Sequence, residues 1–144
     1  MAPRPPSDAV VALRSLGRRY RALFAGLGED ESPDDLAHRP GPDGQSALDH
    51  VRGATAAIAI GIRALGNALG TGGAAALPPT VERVDDAIDG LSLLAGTLAD
   101  QADHVPADDW TRPGATAAVW DPVDAAVQHL HAAERTLTAV RGKP

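Results

Sequence analysis

The histidines are the residues of this chain best suited to chemistry. Two of the five, His129 and His131, stand two apart beside Gln128 in the stretch "VDAAVQHLHAAERTL" (123–137), which also holds Asp124. A third, His50, follows a serine at position 46. Imidazoles with one carboxylate form an acceptable donor set for Zn or Ni, or for Fe(II), whereas an amide oxygen is a feeble ligand. No HxxxH or HxxH pair occurs, and the chain has no cysteine. Disulfides, thiolate metal sites and a cysteine nucleophile are therefore excluded together.

At ~100° per residue, Asp124, Gln128 and His131 fall on one line of a helix. The line lies ~90–150° to one side of an apolar stripe centred near Val127 and Leu130. His129 falls on the opposite flank. This phase predicts that the line through His131, and not His129, meets a ligand on a facing helix. His50 lies ~110° off its own stripe, on a flank where helices meet. The same residues have plainer readings. Asp124 at the third position of a helix would favour the helix dipole, and His50 would serve as an ordinary boundary residue. His129 would face solvent or a neighbouring boundary.

Four amphipathic segments must position these side chains. Apolar residues at Val10, Leu13, Leu16, Tyr20, Leu23 and Leu27 repeat every three or four positions after Ser7, which predicts a helix over 7–27. "SALD" at 46–49 is a capping-box-like start for a helix over 46–69, with Leu48, Val51, Thr55, Ile58, Ile62, Leu65 and Leu69 in register. Gly53, Gly61 and Gly66 weaken this helix by roughly 1 kcal/mol each, which close approach of a neighbouring helix would offset. A third helix is expected over 80–102 and a fourth over 121–141, the last opened by Asp121 as N-cap and Pro122 at N1. The stretches 29–44, 70–79 and 103–120 read as connections; "ATAAVW" (115–120) is the only short strand candidate. The fold class expected is all-α, a four-helix bundle forming one domain over residues 1–144. The connections are unequal, which leaves the up-down order open.

Composition agrees. Of 144 residues, 44% are hydrophobic but only 3% aromatic, so Ala, Leu, Val and Ile must build the core. The net charge of -6 argues against a nucleic-acid partner; "RSLGRRYR" (14–21) reads as a solvated helix face. No apolar run is long enough for a membrane span. The start "MAPRPPSDAV" lacks a secretory h-region, so a cytoplasmic location is expected. "GTGG" (70–73) lacks the lysine of a phosphate loop. Asp85, Asp86 and Asp89 read as an exposed face.

Three stretches carry a resemblance. "AHRPGPDGQSALDHVRGA" (37–54), "DDWTRPG" (108–114) and "QHLHAAERTL" (128–137) resemble the DinB/YfiT-like four-helix bundles, which include mycothiol-dependent maleylpyruvate isomerases and related thiol S-transferases. The resemblance implies a metal held by three histidines, one from the second predicted helix and two from the fourth. It places His50 at the first position, in preference to Gly53 on grounds of phase. It places Asp124 and Gln128 at the paired positions, where histidines would be expected, and a register shifted to His131 pairs with Arg135, which cannot bind a cation. Two outcomes follow. A substituted site of His50, Asp124, Gln128 and His131 holds a divalent ion, Zn or Ni; or the metal is lost, no cofactor remains and a cleft is kept.

The functional expectation is a divergent DinB-like bundle that binds a small molecule or partner. The alternative is a metal-dependent S-transferase or isomerase using a low-molecular-weight thiol such as mycothiol, since the chain supplies none of its own. Trp110, Arg112 and Trp120, with His104, would line a pocket or pack on a bundle end. The Gly- and Ala-rich face of the second predicted helix would suit a homodimer.

Overall fold

The computed structural model describes residues 4–72 and 80–142. Those residues are helical apart from turns, loops and one isolated bridge between Pro40 and Ser46. Five α-helices run in the order α1 (Pro6–Ala25), α2 (Pro33–His38), α3 (Ala47–Leu69), α4 (Val84–Asp103) and α5 (Ala115–Arg141), with a 3₁₀ turn at Ala107–Thr111.

The expected starts hold at α3 and move elsewhere. Ser46 accepts from the Asp49 amide at 3.1 Å while the Asp49 carboxylate accepts from the Ser46 amide at 2.9 Å, a complete capping box. Ser7, in contrast, lies inside α1, which begins at Pro6 with Pro5 as its N-cap. The acidic connection contains α2, opened by Ser32 and Pro33 with Asp34 and Asp35 in its first turn. The helix expected from residue 80 begins at Val84, because its terminus is capped from outside: the Val84 amide donates to Asp34 Oδ1 at 2.7 Å. Residues 73–79 of the expected linker lie outside the described residues.

The largest correction concerns the last helix. It does not start at Asp121 but at Ala115, after Gly114 with φ of 83°, and it carries Pro122 inside. "ATAAVW" is thus helix and not strand. A proline there forgoes one backbone bond, about 3 kcal/mol in a helix interior. Burial of Ala115, Ala118 and Val119 against the core opposes that cost.

The four long helices pair around a square. α1 touches α4 and α5, and α3 touches α4 and α5, so α1 faces α3, and α4 faces α5, across the diagonals. Contacts fix the directions. Arg14 meets Asp100 and Asp103 while Arg21 meets Asp89, so α1 and α4 are antiparallel. Arg52 reaches Val81 and Gln101 reaches Ile62, so α3 and α4 are parallel. The link between them therefore starts at one end of the molecule and finishes at the other. Leucine, valine, isoleucine and alanine fill the centre, with Tyr20 fully buried and its hydroxyl donating to the Ala126 carbonyl at 2.6 Å. Burial pushes the Tyr20 phenol far above its ordinary range, with the Arg19 charge pulling the other way.

Candidate functional site

The antiparallel α3–α5 seam brings two of the histidines together. Gly61 and Gly53 allow it. A Cβ at Gly61 would overlap the Pro122 ring and stand 2.8 Å from the Ala118 carbonyl oxygen. That is the carbonyl whose helical partner Pro122 lacks. Two turns and more toward the start of α3, a Cβ at Gly53 would stand 2.7 Å from Cε1 of His129 and 2.8 Å from its Nε2. The His129 ring approaches α3 where Gly53 puts no side chain in the way. Both glycines thus serve the close approach that their helix-weakening cost implies.

From there, Nδ1 of His129 reaches Nδ1 of His50 at 2.9 Å, with ring centroids 5.2 Å apart and planes inclined at 48°. His50 is buried, with 5% of its surface exposed; His129 is half-buried. One nitrogen must donate and the other accept, so the two rings hold complementary tautomers. Nε2 of His50 is buried without a hydrogen-bond partner among the described residues. The nearest carboxylate is Asp43, 4.0 Å away. A tight turn presents it: Gly44 adopts φ of 83°, Gly41 donates to the Gln45 carbonyl, and the other Asp43 oxygen accepts from the Gln45 amide. This carboxylate favours a proton on Nε2 of His50. His50 Nδ1 then accepts, His129 Nδ1 donates, and Nε2 of His129 keeps the lone pair. Burial first, and the repulsion a protonated His50 would exert second, hold the His129 imidazole below its ordinary pKa.

The expectation from helical phase is therefore corrected: His129, not the line through His131, meets His50. Val127 is only half-buried, whereas Ala126, Ala133 and Pro122 are buried. The face of α5 is centred on these small residues, which turns His129 inward and Asp124, Gln128 and His131 outward. Asp124 accepts two bonds from Arg4, both 2.9 Å, and is mid-helix, not at a third position. Gln128 is exposed, and His131 is exposed on the side facing α1. The four residues of the substituted site do not converge. Among the described residues no cluster of three or more His, Cys, Asp or Glu could hold a metal ion. His50 and His129 supply two nitrogens, and Asp43 approaches the far edge of the His50 ring. This donor set does not fit a three-histidine centre.

The aromatic residues of the long connection have different partners. Arg112 donates to the Leu69 carbonyl at 3.2 Å beside half-buried Trp110. For Trp120, on α5, the indole donates to the Arg4 carbonyl at 3.2 Å, and the Arg4 guanidinium covers its ring at 3.5 Å. Nδ1 of His104 donates to the Asp100 carbonyl at 2.7 Å, at the end of its own helix. It borders a cleft with Leu69, Thr71 and Gln101. No described helix is long and apolar enough to cross a membrane.

Sequence signals for the imidazole pair existed in two places. Gly53, three residues after His50, marks where a neighbour's ring can lie, and the alanines of α5 mark its true inner face. No family model matches the chain, and neither a curated protein nor a solved structure matches it.

Proposed function

We propose that this chain is a divergent DinB/YfiT-like four-helix bundle whose metal centre is reduced to a hydrogen-bonded imidazole pair, and that it works as a binding domain for a small molecule. One observation carries the reading: Nδ1 of His50 is engaged by Nδ1 of His129 at 2.9 Å, so each ring spends one nitrogen on the other. Asp124 supports it, because its carboxylate lies on the outer side of α5, where it accepts from Arg4. With no third donor beside the pair among the described residues, a metal that lowers a thiol's pKa finds no support there, and small-molecule binding is the activity expected.

The test is elemental analysis of the purified chain, with melting curves in the presence of Zn²⁺ or Ni²⁺. No stoichiometric ion and no metal-dependent rise in Tm are expected. A stoichiometric ion that disappears in His50→Ala would overturn the reading and restore the thiol S-transferase or isomerase.

A further inference from the structure

α1 and α5 run parallel and form the most loosely packed side of the square. The surface there opens into a cleft of about 400 Å³, within the range that small-molecule sites occupy. Its wall is mixed: half-buried Leu23, with the small exposed edges of Leu130 and Leu137, gives the apolar part, and polar side chains give the rest. Arg19 borders it from α1, His131 from α5, and Arg141 marks the far end. From Leu130 to Arg141 the cleft follows about 16 Å of helix at 1.5 Å per residue.

The basic run of α1 divides its arginines between two sides. Arg14 and Arg21 turn to α4 and pair with carboxylates there, and Arg18 is exposed. Arg19 is half-buried toward α5 and forms no ion pair among the described residues. A partly desolvated guanidinium without an anion is unfavourable, and its planar fork matches a carboxylate. Arg141 uses Nε and one Nη for Glu31, so its other Nη keeps its donors. The single carboxylate on the rim is Glu134.

We infer that this cleft binds a small amphiphilic carboxylate, its head on the Arg19 guanidinium and its apolar tail along Leu23, Leu130 and Leu137. The inference gives the small-molecule reading above its place and ligand class, and rests on that reading. The two fail separately. A stoichiometric metal at the imidazole pair sinks the reading, whereas an empty cleft in metal-free protein sinks only this assignment.

The experiment is calorimetric titration of the full chain with octanoate, with octylammonium as the control of opposite charge, and amide NMR to locate the site. Octanoate should bind saturably and shift resonances of residues 19–23 and 130–141. Arg19→Gln should weaken it about tenfold or more, the loss of one charge-assisted contact. Arg19→Lys, which keeps the charge but not the fork, should weaken it less. Glu134→Gln should tighten it by removing the competing charge. Absence of saturable binding, equal binding of octylammonium, or indifference to both Arg19→Gln and Glu134→Gln would overturn the assignment.

Discussion

Nδ1 of His50 and Nδ1 of His129 lie 2.9 Å apart across the α3–α5 seam, with the second ring resting on Gly53. Such a contact survives one proton between the two nitrogens and not two. Protonation of both rings would set two donors and two positive charges against each other in a partly buried seam.

Stability should therefore fall with acid. The His129 pKa is lowered in the folded chain, so the unfolded chain binds the proton more readily. The neutral ring's contribution is complete above the unfolded value, about 6.5, and is lost as pH falls from there toward the folded value. The slope is at most about 1.4 kcal/mol per pH unit, and less here because the ring is only partly buried. Urea unfolding at pH 8, 6 and 5 measures it. His129→Gln should flatten the dependence in that window, and an unchanged slope would remove His129 as its source.

The glycines of α3 should not tolerate alanine equally well. Gly61→Ala meets a proline ring and a backbone oxygen, neither of which can turn aside, and should cost about 1–3 kcal/mol. Gly53→Ala meets only the movable His129 ring and should cost less. Gly96→Ala in α4, with nothing within 4 Å of the new Cβ, should gain up to about 1 kcal/mol. Denaturant midpoints of the three variants give the order, and a Gly61→Ala protein as stable as Gly96→Ala would contradict it.

Asp34→Ala should lower stability by about 1 kcal/mol, the usual worth of a cap. The lost bond is the one to the Val84 amide at 2.7 Å. Hydrogen exchange should rise locally at the start of α4, although the substitution lies in α2. Loss confined to α2 would show that the two helices are not coupled in this way.

Arg4→Gln should change tryptophan emission, because the guanidinium lies 3.5 Å over the Trp120 ring. Its effect on stability should stay under about 1 kcal/mol, since the Arg4–Asp124 pair is exposed. Emission identical to wild type would place the cation elsewhere.

Much of the helix content was legible in the residues. The Ser46–Asp49 box and the three-four spacing after it define α3 almost to the residue, because both signals are local. Asp121-Pro122 misled for the same reason: locally it starts a helix, but buried alanines on its N-terminal side extend α5 backward. The site was less legible. Phase computed from large apolar residues put the face of α5 at Val127, whereas the contact is made by Ala126 and Ala133. Alanine is silent in a stripe drawn by bulk, yet it sets how near two helices come. His50 was found, but its partner depended on that silent face and on Gly53. The cap on Val84 could not be read locally, since its carboxylate lies fifty residues away in the chain.

The square of helices also governs how the chain reaches its fold. No large interface joins an antiparallel pair of consecutive long helices: α1 and α3 are diagonal, α4 and α5 are diagonal, and α3 and α4 are parallel. The contacts that join α3 to α5, α1 to α4 and α1 to α5 span 79, 86 and 106 positions, while the parallel α3–α4 seam closes over 29 and 39. A helical hairpin cannot form first and template the rest. Long loops must close before any seam is rewarded, so this chain should fold more slowly than helical proteins of its size built from sequential hairpins, and α5, the partner of both α1 and α3, should be needed before either is secure.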